Sequence, residues 1–309
     1  MTATRTRRTA GPRPKGRAPR LVVEAGLVDE GYVAVAGADE VGRGCLAGPV
    51  TVGVVVVDPG AGMPPRGLRD SKLLTPEQRR RLVPRIERWV LASAVASATS
   101  EESDTYGIIA ALRRAAHRAL AGLPAVPDCV LLDGNHDYLT PRQAKVPSDQ
   151  LALEVEVLPV RPVPDPVPLE RHPVVRTRIK ADLTCASVAA ASVLAKASRD
   201  AFMVGLAREH PEYGWEVNKG YATPYHRAAL RRLGPSPYHR VSWRLGLDEA
   251  DGLDELGDLD GLEELGVDLE AETALQEEAA GAEETVSGAP VDLTDRQDGA
   301  VRLGEEVRR

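Results

Sequence analysis

The stretch GADEVGRGCLAGPV, Gly37–Val50, sets Asp39 and Glu40 side by side in an apolar run and follows them with Gly42, Arg43 and Gly44. A carboxylate pair in a buried strand is costly unless a cation neutralises it, so the pair requires a salt-bridge partner or a metal. On either side, YVAVAGADEVG and TVGVVVVD are β-branched runs joined by a Gly/Pro-rich turn, which predicts two antiparallel strands. Neighbouring strand residues point to opposite faces, so both acids serve one site only near a strand end, which Gly37, Gly42 and Gly44 mark.

Outward from this pair the elements alternate. TPEQRRRLVPRIERWV predicts a helix with Thr75 as its cap, Pro76 at its first position and Gln78 closing a capping box, kinked or split at Pro84. LASAVASATS reads as a third strand, YGIIAALRRAAHRALAGL as an amphipathic helix, and DCVLLDGN as a short buried strand ending at Asp133. ALEVEVLPV alternates like a strand, whereas the prolines of RPVPDPVP require an exposed extended loop. CASVAAASVLAKASRDAFMVGLAREH is a long helix of small residues stopped by Pro211. Strands first, then strands alternating with helices, give a mixed-sheet α/β domain.

Charge divides the chain of 309 residues. Residues 1–20 hold seven Lys/Arg and no acid and read as a disordered basic arm; residues 21–246 read as the catalytic domain; residues 247–309 read as an acidic low-complexity tail. Hydrophobic residues make up 43% of the chain but aromatics only 4%, so a sizeable core must be built from Val, Leu and Ala. Cys45, Cys129 and Cys185 lack the close spacing of a zinc site and read as reduced core thiols of a cytoplasmic protein. No apolar run approaches the ~20 residues that span a bilayer, so no membrane is expected.

Asp39, Glu40, Asp133 and Asp182 fall at strand edges or at a helix entry. Asp133 before a glycine has an alternative as a turn residue, and Asp182 as a cap for the helix beginning near Thr184. If the four converge, hard oxygen ligands favour magnesium or manganese over zinc. Two such ions activate a water on one side of a phosphate and stabilise the leaving oxygen on the other.

The ordered set GADEVGRGCLAGPV, LRDSKLLTPEQR, LLDGN, IKAD, CASVAAASVLAKASRD, NKGYATPYH and HRVSWRL resembles bacterial ribonuclease HII, the type 2 ribonuclease H, over about residues 33–245. The resemblance implies a ribonuclease H-like mixed five-stranded sheet flanked by helices, with a C-terminal helical extension. It implies hydrolysis of the RNA strand of RNA/DNA hybrids and incision 5′ of ribonucleotides embedded in duplex DNA, leaving 3′-hydroxyl and 5′-phosphate ends. Asp39, Glu40, Asp133 and Asp182 then take the family's metal-binding positions, for Mg2+ or Mn2+. Gly42, Arg43 and Gly44 match the loop that senses the ribose 2′-hydroxyl through its backbone, and Tyr221 matches a tyrosine packed on the sugar beside the scissile bond. Lys72 is similar to a phosphate-contacting lysine, with an ordinary surface lysine as the alternative.

Arginine rather than lysine at position 43, and no folded N-terminal domain, set the chain apart from the type 3 enzymes. Ala181 replaces a glycine common before the last aspartate, and the segment from Thr140 to Arg178 is long and proline-rich, as a surface elaboration would be. The expected partners are RNA/DNA hybrid and ribonucleotide-containing duplex DNA, met by a monomer. A catalytically inactive nucleic-acid-binding module of the same fold would lack an acid, and none is missing. A nucleotide-binding domain would carry a phosphate loop of the form G-x-x-x-x-G-K-[ST], which is absent from the sequence.

Overall fold

The computed structural model describes residues 18–60, 62–141, 169 and 171–245. Most of the basic arm, the strand-like ALEVEVLPV, the RPVPDPVP loop and the acidic tail lie outside these residues. The arm's last residues do not: Arg20 forms an isolated parallel bridge with Cys185, so the described chain begins before the expected boundary at residue 21.

In chain order the elements are α1 (Val22–Asp29), β1 (Val35–Val41), β2 (Val50–Val57), α2 (Pro76–Glu87), β3 (Ala92–Ala98), α3 (Ser100–Tyr106) and α4 (Ile108–Ala121). They continue with β4 (Cys129–Asp133), β5 (Val174–Arg178), α5 (Ala181–Thr184), α6 (Ala186–Leu206), α7 (Trp215–Asn218) and α8 (Pro224–Leu233). The strands form one five-stranded sheet in the order β3-β2-β1-β4-β5. The first three are antiparallel neighbours, while β1–β4 and β4–β5 run parallel. This is the mixed sheet expected.

Alternation along the strands builds two cores. Ala36, Ala38, Val52, Val54, Val130 and Leu132 face α4, with its buried Leu112, Ala115 and Leu120. Val35, Cys129 and Leu131 turn to the opposite face, where Val188 of α6 covers them. The alanines of α6 let it lie almost on the sheet. A Cβ on Gly37 would sit 2.4 Å from the Ser187 carbonyl carbon, and one on Gly53 2.5 Å from the Ala191 oxygen. Gly37 therefore serves helix–sheet contact rather than a strand end.

The capping box of α2 forms as expected, with Thr75 Oγ1 accepting from the Gln78 N–H and Gln78 Oε1 from the Thr75 N–H. Pro84 neither splits nor ends α2, which continues to Glu87. The fifth strand is VVRTR, inside the segment expected to be a surface elaboration. It is an edge strand with mostly exposed side chains, held by its parallel ladder to β4. The C-terminal extension forms a third core of Met203, Leu206, Tyr213, Trp215 and Leu230 packed on Leu46 and Ala47. This places it directly behind the Gly42–Pro49 loop. All three cysteines are buried and unpaired.

Candidate active site

The parallel pairing of β1 with β4 brings the first acids together. Ala38 is in register with Leu132, so Asp39 and Asp133 occupy the next step at the C-terminal ends of neighbouring strands. Both continue the row of side chains that faces α6, as Val35 and Leu131 show. Glu40, one residue on, falls to the other face, where the Tyr138 hydroxyl donates to its Oε2 at 3.2 Å.

Asp182 is delivered by the turn after β5. The Ala181 N–H donates to Asp133 Oδ1 at 2.6 Å, tying α5 to the end of β4. Asp182 thus lies within α5 and does not cap the long helix, whose N-cap is Cys185. Ala181 is fully buried in helical conformation; the left-handed residue is Lys180, at φ 56°. The alanine that departs from the family pattern thus carries no backbone strain.

Electrostatics show the four acids acting on one another. Asp39 is pushed well above the usual carboxylate range by burial, then by Glu40 and Asp133, with Asp182 adding a smaller push. Glu40 is raised by burial, against the pull of Arg43, whose Nη1 lies 3.8 Å from Glu40 Oε1. Burial raises Asp133, although N–H donors from Ala181, Asp182 and Gly134 and the charge of Lys72 oppose it. Asp182 is pushed up to about 7 by burial and by Asp70 and Asp133, with Lys72 opposing.

Lys72 is exposed, and its charge opposes the upward shifts of Asp133 and Asp182. Asp70, a fifth carboxylate, and Tyr138 escaped the sequence reading. Asp70 lies two residues before Lys72 in LRDSKLLTPEQR, and nothing local in that stretch distinguishes it from a turn residue. Tyr221 is half-buried, with Lys196 Nζ 5.5 Å and the Arg199 guanidinium 5.9 Å from its ring centroid.

Among the described residues, no three or more His, Cys, Asp or Glu side chains are grouped closely enough to hold a metal ion as they stand. The donor set nevertheless fits a hard divalent cation. It is all carboxylate oxygen, its members raise one another through like charge, which a divalent cation would offset, and magnesium keeps several waters and takes phosphate oxygens as further ligands. A surface cavity of about 380 Å³ lined by Glu101, Asp104, Ser236, His239 and neighbours contains none of these acids. Among the described residues, the N–H groups of Gly42, Arg43 and Gly44 donate to no other protein group.

The family model described as Ribonuclease HII matches residues 36–245. A Ribonuclease HII of Streptomyces avermitilis is 44% identical over 227 residues, covering 73% of this chain and 83% of the relative. A Ribonuclease HII of Ruegeria pomeroyi is 41% identical over 226 residues, covering 73% and 82%. The crystal structure of the ribonuclease H2 from Pyrococcus horikoshii is similar in fold, with a TM-score of 0.50 and 24% identity over 71% of this chain and 99% of that one.

Proposed function

The chain belongs to the ribonuclease HII family, and from that premise we propose that Asp39, Glu40, Asp133 and Asp182 cut RNA/DNA hybrids and incise 5′ of single ribonucleotides in duplex DNA. The coarser activity, that of a metal-dependent ribonuclease H acting within a strand, comes with the family. The observation that carries the finer reading is the meeting of mutually repelling carboxylates at the ends of β1 and β4, beside a loop with three unengaged N–H groups.

The acids would hold two magnesium or manganese ions, which supply an activated water and stabilise the leaving 3′-oxygen, so that the products carry 3′-hydroxyl and 5′-phosphate ends. The chain's own groups bind and orient. Backbone N–H groups of Gly42–Gly44 meet the 2′-hydroxyl, the group that separates RNA from DNA. Tyr221 packs on the adjacent sugar, and Lys72 meets a phosphate from the exposed side. Arg43 faces Glu40 Oε1 and Tyr138 donates to its Oε2, which orients that carboxylate. The folded body acts as a monomer, and its reduced thiols suit the cytoplasm.

Asp133→Asn tests the assignment. It keeps an oxygen for the Ala181 N–H but removes the charge, so the variant is expected to melt near the parent temperature while hybrid cleavage falls by about a thousandfold or more. Retained cleavage in the folded variant would remove Asp133 from the proposed site.

A further inference from the structure

Arg199 of α6 and Arg240, beyond α8, are 1% and 0% exposed, among the largest fully buried side chains of the molecule. Among the described residues neither forms an ion pair; Arg199 directs Nε and both Nη groups at backbone carbonyls, and Arg240 both Nη groups, its buried Nε having no hydrogen-bond partner among these residues. Arg199 donates to Pro49 O at 2.8 Å, Lys219 O at 2.9 Å and Ala47 O at 3.1 Å. Arg240 donates to Arg43 O at 2.8 Å, Gly42 O at 2.6 Å and Gly48 O at 3.1 Å. Two unpaired buried cations are costly, and neutral residues would fill the space at less cost. What a guanidinium offers is a rigid planar fork that reaches several carbonyls at once.

The consequence for the loop follows from peptide geometry. In a trans peptide the carbonyl of one residue and the N–H of the next point in opposite directions. Drawing the Gly42 and Arg43 carbonyls inward therefore turns the Arg43 and Gly44 N–H groups outward. The other N–H groups of the loop are engaged: Leu46 and Ala47 donate to Gly220 O and Gly48 to Tyr238 O. Gly42 has φ +83°, and a Cβ there would lie 2.2 Å from Arg199 Nε, so the loop and its clamp fit only with glycine at that position.

We propose that Arg240, with Arg199 behind it, is a positioning residue for 2′-hydroxyl recognition, holding the Gly42 and Arg43 carbonyls inward so that the following N–H groups face the substrate. The inference rests on the ribonuclease reading above. It is tested with Arg240→Lys, which keeps the charge but gathers its donors on one nitrogen, and with Arg81→Lys as a surface control. KM is measured on a duplex with one ribonucleotide, together with the Ki of the same duplex made entirely of DNA as competitor.

Arg240→Lys is expected to raise KM about tenfold while Ki stays within about twofold, because only the 2′-hydroxyl contact is weakened. A loss of folded protein would instead lower kcat and leave both constants alone. If Arg240→Lys does not fold, Arg199→Lys is read in the same way. Unchanged KM in a folded variant, KM and Ki rising together, or failure of both variants to fold would overturn the proposal. A parent protein that cuts neither hybrid nor ribonucleotide duplex would sink the ribonuclease reading and this inference with it.

Discussion

Lys180 carries the backbone cost of bringing α5 under Asp133. Its φ of 56° and ψ of 41° are left-handed, a region costing a non-glycine residue roughly 1–2 kcal/mol, and its side chain is exposed, so no packing offsets the cost. Lys180→Gly is expected to raise the melting temperature by about 2–4 °C, allowing for glycine's greater entropy when unfolded. A lower melting temperature would show that the lysine side chain makes a compensating contact. At this scale the sequence was legible wherever charge conflicted with hydrophobicity. Asp39 and Glu40 stood out in an apolar run. Asp70 and Tyr138 did not, because an acid between an arginine and a serine and a tyrosine in a polar stretch conflict with nothing nearby. Arg199 and Arg240 were hidden for the related reason that arginine normally means surface, and only the fold shows both buried.

Among the elements, the C-terminal extension holds a histidine pair whose protonation is set by its partners. His226 Nδ1 meets Tyr221 O at 2.8 Å, and a carbonyl only accepts, so that nitrogen bears the proton. His226 Nε2 then accepts from Trp215 Nε1 and from His239 Nε2, while His239 Nδ1 accepts from the Ser236 N–H. Both rings are neutral, and burial lowers His226 and takes His239 down to about 4. An unfolded His239 gains its proton near pH 6.5 and the folded one only near 4, so its contribution is constant above that window and falls as pH drops through it. Between pH 7 and 5 the parent is expected to lose about 2 kcal/mol more stability than His239→Asn in urea titrations. Equal losses would mean that the pair charges without penalty. The strands β1–β4 and the helices α2, α4 and α6 were legible because alternation or helical periodicity was strong. β5 was not, since VVRTR buries little and takes its place from backbone pairing alone.

At the scale of the whole molecule, the sheet order joins the proposed catalyst to the proposed specificity element. β1 delivers Asp39 and Glu40 and runs on into the Gly42–Pro49 loop, β4 beside it delivers Asp133, and the extension closes over the back of the loop. The fold class was readable from the order of elements. The convergence of Asp133 and Asp182 was not, because parallel register and a turn after an unforeseen edge strand bring them in. The most direct test of the account is a labelled DNA duplex carrying one ribonucleotide, incubated with the full chain and magnesium or manganese and resolved at single-nucleotide length. The account predicts one cut on the 5′ side of the ribonucleotide, leaving a 3′-hydroxyl and a 5′-phosphate, and no cut in the all-DNA duplex. An intact ribonucleotide strand under both metals, or equal cutting of the all-DNA duplex, would contradict it.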